Sequence, residues 1–451
     1  MTTTDVSYHK PGAVELNEIY LIASNGSYIN LYSFFLQMNL YEDLFSSHMV
    51  GNILISDSIN LISKLPLVGD EYFYINFKTP TQPQSIKKLF RIYSITNRDL
   101  TGGDKSKQTY MLNFVSKECI IDTLSPLYRG FEGKISDVVT QIFKEGLKTE
   151  KTVEISDSKA RVINETNHLN VLETSNSVKF VSPGWTPFKC ISWCASKAIS
   201  NSGKACSYLF FESNKGYFFT TVESLLGLAS SNEDYNIGTY TVVVNNKIFN
   251  ETISPVSKAF FIDNYKIVKT NDFLDSYMKG YYASNLVDID VINKNTTYHQ
   301  YIHPEEFQKY QHLEGKNSQP LFYSEGTNLN PFVKNRINCS NPGLHTDVPN
   351  NANEVMKDVY SNRLSNMLEL TNLKIHLNVP GRTDVEVGRS LRLLLPDVER
   401  PKGEDDKALK GIDPYYSGNY LITAIRHSLS PTVHSMNLEV VKDSFNSQNI
   451  L

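Results

Sequence analysis

The chain has 451 residues, of which 40% are hydrophobic, 20% charged and 11% aromatic, so it can build packed cores in roughly two to four domains and is not globally disordered. Forty-four Lys and Arg against 48 Asp and Glu give a net charge of −4, which argues against nucleic-acid binding through bulk positive charge. No apolar run is long enough to span a bilayer, residues 1–16 lack a signal-peptide core, and five cysteines without a CxxC pair are too few for a disulfide scaffold. Reduced thiols in a cytoplasmic folding compartment are therefore expected.

Twenty-six Tyr and 23 Phe among many Asn favour strands joined by polar turns. The first 120 residues predict five strands. Tyr28 to Leu40 carries Tyr32, Phe34, Leu36, Met38 and Leu40 on alternate positions. Val50 to Asp57, Glu71 to Thr79, Lys88 to Arg98 and Gln108 to Ser116 follow with the same period of two. The period then changes. Ile135, Val138, Val139, Ile142 and Phe143 mark one helical face, with Gly146 as its expected terminator. Thr186-Pro187 reads as an N-cap and first turn before Phe188, Ile191, Ala195, Ala198 and Ile199. Ala205 to Glu212 and Tyr217 to Thr221 predict a hairpin around the four residues Ser213 to Gly216.

Between residues 231 and 350 the pattern weakens. Thr239 to Ile248 and Val256 to Asp263 are candidate strands, and Pro304 to Asn351 reads as long surface connections. A helix over Val355 to Thr371 restores regularity. Strands are then expected at Leu373 to Val379, Asp384 to Val387, Ser390 to Leu395, Tyr420 to His427 and Met436 to Val441, interrupted by an acidic loop from Asp397 to Pro414.

The two β-rich ends resemble each other. Val68-Gly69 opens a strand ending at Pro80, and Val387-Gly388 opens one ending at Pro396. Phe90-Arg91-Ile92-Tyr93-Ser94-Ile95 matches Tyr420-Leu421-Ile422-Thr423-Ala424-Ile425. Each precedes an alternating strand, with Tyr110, Leu112, Phe114 in one and Met436, Leu438, Val440 in the other. Two copies of one barrel would give this order, and a ring of three such chains would present six similar surfaces.

Chemical motifs are weak by comparison. His299 and His303 are four residues apart, as on a helical zinc face, but Gln300 stands where a zincin needs its Glu, and Pro304 should end a helix there. Cys190, Cys194 and Cys206 could bind a soft metal, yet their helix is anchored by Phe188 and Ile191, so core packing is expected. The pairs Glu42-Asp43 and Asp70-Glu71 and the run Glu404-Asp405-Asp406 read as solvated charge. No phosphate loop, nucleophile elbow or triad is evident.

Beyond these patterns, Tyr41-Glu42-Asp43-Leu44-Phe45, Gly51-Asn52-Ile53-Leu54-Ile55-Ser56-Asp57 and Leu65-Pro66-Leu67-Val68-Gly69-Asp70-Glu71 resemble the opening of contractile-tail bacteriophage baseplate hub proteins. Trp185-Thr186-Pro187-Phe188, Tyr208-Leu209-Phe210-Phe211-Glu212 and Gly216-Tyr217-Phe218-Phe219 are similar to the middle of that family. Ser417-Gly418-Asn419-Tyr420-Leu421-Ile422-Thr423 with Ile425 and His427, through Leu438 to Asp443, is similar to its C-terminal tube-like barrel. The likeness covers both ends and the middle, and fails over residues 231–350.

The resemblance implies an α+β, mainly β chain: two tube-like antiparallel β-barrels with an α/β insertion between them. The expected division is 1–120 for the first barrel, 121–230 for the insertion, 231–352 for an irregular connecting region and 353–451 for a helix plus second barrel. It also implies a non-enzymatic hub subunit, a homotrimer whose pseudo-sixfold ring joins the tail tube, or a tube-initiator protein, to a central spike. Neighbouring baseplate proteins would surround it, and viral DNA would pass through the lumen without specific binding. Such a subunit assembles in the bacterial host cytoplasm, resides in the virion without membrane anchoring, and carries over no catalytic residue, cofactor or metal. A spike-related protein of a bacterial secretion machine shares these barrels and is the nearest alternative. A zinc-dependent hydrolase would use His299, His303 and a third ligand such as His312. A β-rich adhesin or carbohydrate-binding protein would need exposed aromatics, yet the two tryptophans, Trp185 and Trp193, fall on or beside a helix.

Overall fold

Alternating side chains in the first 116 residues build seven strands: β1 (Glu15–Ile22), β2 (Tyr28–Asn30), β3 (Phe35–Asp43), β4 (Val50–Asp57), β5 (Tyr72–Lys78), β6 (Ser85–Leu100) and β7 (Gln108–Ser116). The computed structural model describes residues 10–23, 26–64, 67, 69–80, 82–100, 107–147, 150–155, 161–201, 205–244, 247–248, 255–270, 272–314, 330, 334–340, 352–396, 412–413 and 415–444. The strands pair antiparallel in the order β3-β4-β7-β6-β5-β1-β2. Only Leu31 to Phe34 separate β2 from β3, so one stretch of chain carries both margins of the sheet and curls it into a barrel. Phe73, Ile75, Phe77, Phe90, Phe114, Met38, Leu40 and Ile53 fill its interior.

The strand expected over Tyr28 to Leu40 is broken at this point. A register shift between Phe35 and Gln37 changes which parity faces inward. Phe35, Met38 and Leu40 are therefore buried, while Tyr32 and Leu36 are 53% and 44% exposed.

The insertion follows. Helix Lys117–Leu124 leads to β8 (Gly130–Lys134) and helix Ile135–Leu147; β9 (Glu150–Ile155) and β10 (Arg161–Thr166) form a hairpin. Then come β11 (Leu169–Val171), β12 (Ser177–Val181), helix Pro187–Ala195, β13 (Tyr208–Ser213), β14 (Gly216–Thr221) and helix Val222–Ser231. The anticipated helical faces pack together around Phe210, Tyr217 and Phe219. Thr186 caps its helix by accepting from the Lys189 amide, with Pro187 in the first turn. Gly146 lies inside its helix rather than ending it: a Cβ there would sit 2.7 Å from the Pro187 ring, so the glycine admits a close helix–helix approach. The hairpin turn is two residues, Asn214 and Lys215, because Ser213 pairs with Gly216. Cys190, Cys194 and Cys206 are buried thiols, and desolvation pushes all three pKa values up.

The second barrel draws on two distant stretches. Its strands are β15 (Asn236–Val244), with β16 (Lys247–Ile248) as a short extension, β17 (Phe261–Ile262), β18 (Asn264–Lys269), β22 (Leu373–Pro380), β23 (Ser390–Leu394), β24 (Gly418–Leu429) and β25 (His434–Lys442). The order β18-β22-β25-β24-β23-β15-β17 returns to its start, since only Asp263 separates β17 from β18. Strands from the weakly patterned region thus complete the C-terminal sheet. Pro255–Phe260, inside a segment expected to be extended, is a 3₁₀ helix. Asp384 to Val387 is not a strand, although Val385 and Val387 are buried in the core.

Between β18 and β22 lie helix Phe273–Lys279, a separate sheet of β19 (Ala283–Asp290), β20 (Asn295–Ile302) and β21 (Asn335–Ser340), and helix Ala352–Glu369. The surface connection expected over 304–351 and the acidic loop 397–414 lie largely outside the described residues.

The two barrels share one strand order. In each, the strand carrying the Ile-x-x-Ile core is flanked by the same neighbours and bulged at the same place, between Ile92 and Ser94 in β6 and between Ile422 and Ala424 in β24. Ile92 pairs with Phe114 and Ile95 with Leu112, as Ile422 pairs with Val440 and Ile425 with Leu438. Gly69 and Gly388, which precede the matched strands β5 and β23, both have positive φ, 89° and 84°, a region that disfavours a Cβ.

Candidate functional site: the joint between the barrels

The barrels are fused edge to edge. The second half of β24 pairs antiparallel with β3, from Ala424 opposite Asp43 to Leu429 opposite Met38, making one 15-stranded sheet among the described residues. This is possible because β24 outruns β23: β23 pairs only with Gly418 to Leu421, so the rest of that margin is open to another strand. Polar side chains fix the register. Arg426 donates to Asn39 Oδ1 from Nε and Nη2, at 3.1 and 3.0 Å, and Asn39 Nδ2 donates to Asn52 Oδ1 at 2.9 Å.

The interior face of the joint holds an unexpected polar group. Glu42, His427 and His434 are each 1% exposed or less. His427 Nδ1 lies 3.0 Å from His434 Nε2, and its Nε2 lies 3.5 Å from Glu42 Oε1. Burial, then the neighbouring His427, holds the His434 pKa well below the usual imidazole value. Phe77 presents its ring edge-on to His434, 5.5 Å between centroids. Gly381 closes the group, since a Cβ there would sit 2.0 Å from the His434 ring. The expectation that Glu42-Asp43 and Asp70-Glu71 are solvated therefore fails for one member of each pair. On β3, neighbours face opposite ways, so Asp43 is exposed and Glu42 buried; just ahead of β5, Asp70 is exposed while buried Glu71 accepts from the Gly69 and Asp70 amides. The run Glu404 to Asp406 lies outside the described residues.

Two further clamps hold the parts together. Glu212 of β13 accepts from Lys88 Nζ at 3.1 Å, from the Met49 amide at 3.0 Å and from the Ser116 hydroxyl; Lys88 and Glu212 are both buried. Thr79 and Thr383 bond reciprocally, each amide donating to the other hydroxyl at 3.2 and 3.1 Å.

The histidines considered as metal ligands have other surroundings. His299 lies on β20 with Thr297 Oγ1 3.2 Å from its Nε2. His303 begins the short helix His303–Glu306, which Pro304 starts rather than ends, because proline suits a first helical turn. The helical spacing of the pair is therefore absent. His303 is buried among the Tyr281 and Tyr301 hydroxyls and Ser365 Oγ, at 3.0–3.1 Å. His312, Glu369 and Asp443 do bring donor atoms within 4.8 Å of one another. However, His312 Nδ1 is 2.8 Å from Asp443 and its Nε2 is 2.7 Å from the Phe307 carbonyl. Both nitrogens then act as donors, which suits an imidazolium better than a ligand. Burial opposes that charge, but Asp443, Glu369 and the carbonyl outweigh it and push the His312 pKa up to about 9. Trp185 and Trp193 are half-buried neighbours, 6.1 Å between ring centroids.

No protein-family model and no curated protein matches the chain. Solved structures do. The tail protein from Neisseria meningitidis MC58 aligns over 94% of this chain and 96% of its own, with a TM-score of 0.52 and 10% identity. The 43 kDa tail protein of prophage MuSo2 from Shewanella oneidensis aligns over 94% and 98%, with a TM-score of 0.50 and 11% identity. Identity this low speaks for the fold alone: this chain is similar in fold to these two tail proteins, in line with the mainly β, α+β tail-hub fold that the sequence resemblance implied.

Proposed function

We propose that this chain is a non-enzymatic structural subunit of a contractile phage-type tail, a baseplate hub. Three copies form a pseudo-sixfold ring between tail tube and central spike, and DNA passes through the lumen. The single observation that carries this reading is the edge-to-edge fusion of two barrels of one strand order, which is how a threefold chain presents six like units to a sixfold partner. The mild net negative charge suits a lumen past which DNA slides. The expected residence in the virion, with spike and neighbouring baseplate proteins as partners, belongs to the same reading. So does the division into first barrel, insertion, connecting region and second barrel, with β15–β18 pairing as part of the second barrel's sheet.

Light scattering in reducing buffer tests this reading, with negative-stain imaging of the same sample. The expected result is a species of three times 51.2 kDa with a central hole. A chain that stays monomeric both alone and with its spike overturns the ring.

A further inference from the structure

The internal joint has a counterpart that none of the described residues fills. Its two halves are the protruding part of β24 and the outer margin of β3. By the shared strand order, the equivalents are the protruding part of β6, from Ser94, and the outer margin of β18. β5 pairs with β6 only from Ser85 to Arg91, and β18 pairs only with β22. Both margins are therefore open among the described residues.

Burial makes the contrast concrete. At the joint, Met38, Leu40, Ile425 and His427 are all at most 1% exposed. At the matching places, Ile95, Tyr265 and Ile267 are only half-buried, Thr96 to Asp99 are exposed, and Val268 is 45% exposed. An open, partly apolar strand margin is a template for pairing with another chain.

The matched pairings fix the register. Asp99 pairs with Thr109 of β7 as Ser428 pairs with Ser435 of β25, once the bulge between Thr96 and Asp99 is counted. Lys266 pairs with His376 of β22 as Asn39 pairs with Asn52 of β4. Ser428 lies opposite Asn39 in the joint, so Asp99 would lie opposite Lys266, an acid facing a base.

We propose that the protruding part of β6, up to Asp99, pairs antiparallel with β18, from Lys266 to Lys269, of a second copy of this chain, repeating the internal joint with Asp99 facing Lys266. The contact is heterologous, so each copy uses both margins and the assembly closes as a ring. This rests on the ring reading above and specifies which strands make it.

The test is the double variant Asp99→Cys with Lys266→Cys in the full chain, oxidised mildly and run on non-reducing gels. The expected result is a ladder ending at a covalent trimer, which either single variant lacks. Asp99→Lys should lower the trimer fraction at least severalfold at moderate salt, and adding Lys266→Asp should restore it. A trimer by light scattering with no cross-link and no charge effect overturns the strand pairing and leaves the ring standing. A chain monomeric under every condition, with its spike included, overturns both.

Discussion

The first and second barrels solve one packing problem with different residues and, in one place, different chain direction. Every strand pair of the first is antiparallel. In the second, β15 runs parallel to both β17 and β23. The first barrel's equivalent, β1, is followed by a short turn into β2. The chain after β15 instead makes a longer crossover through Pro255–Phe260 before β17, the length a parallel connection needs. The inward row of a strand is the same read from either end, so the barrel tolerates the reversal.

Volumes are exchanged as well. Gly51 pairs with Phe114 in the first barrel, and the matched Ile375 pairs with Val440 in the second. A Cβ on Gly51 would sit 2.3 Å from the Phe114 ring, so the large ring requires the glycine, whereas two mid-sized side chains share the same space in the other copy. Buried lysines are also traded. Lys88 on β6 meets Glu212, while β24 has Gly418 at the matched place and Lys442 comes from β25, with Glu314 nearby and its Nζ 2.8 Å from the Ser417 carbonyl.

The largest expected effect tests that last contrast. Glu212→Ala leaves Lys88 buried without its carboxylate and should lower stability by about 3–5 kcal/mol, read as a shift in the urea midpoint. Glu314→Ala should lower it less, since Lys442 keeps the Ser417 carbonyl and the Asp443 and Asp413 charges. Equal losses would mean that the two ends are energetically alike.

Next come the exchanged volumes. Ile375→Ala opens a cavity and should destabilise by about 2–5 kcal/mol. Gly51→Ala overfills the same place and should destabilise by about 1–3 kcal/mol. Adding Phe114→Val to Gly51→Ala should recover only part of the thermal midpoint, because the Asn39 carbonyl also lies 2.5 Å from the added Cβ. Full recovery would show that the ring alone dictates glycine there.

A pH titration of the midpoint separates the barrels more finely. His434 is held well below its usual pKa, so below about pH 6.5 the unfolded chain binds the extra proton and stability falls with pH. His434→Gln should flatten that acid limb, since glutamine is what the first barrel has at the matched place: Gln108 accepts from Arg98 Nε at 3.0 Å. An acid limb unchanged in this variant would assign the proton elsewhere. His312 works in the opposite sense, and its stabilisation, present below its unfolded value, should fade as pH rises through about 9. The smallest effect is at the rim of the joint. Arg426→Ala, losing the half-buried guanidinium's bonds to Asn39, should reduce stability by about 1 kcal/mol in a urea titration, and a much larger drop would make that rim contact central to the fusion.

Much of this was legible in the residues. Val50 to Asp57 and Gln108 to Ser116 appear with the expected ends, and the Thr186-Pro187 start is a real cap. The Ile-x-x-Ile repeat keeps even its register in the paired strands. The joint was not legible. Glu42 and His427 come from opposite ends of the chain, and neither carries a local mark of burial, so adjacent carboxylates read as solvated.

By itself, then, the sequence determined the strand-rich character, the helical faces of the insertion and the duplication, because each is written in short-range periodicity that a local backbone must obey. The tertiary structure alone decided that β15 runs the other way, that β17 and β18 complete a barrel begun a hundred residues later, and that β3 fuses to β24. Alternation has no direction and hydrogen-bonded margins carry no local code, so these features follow only from which strands the whole chain brings side by side.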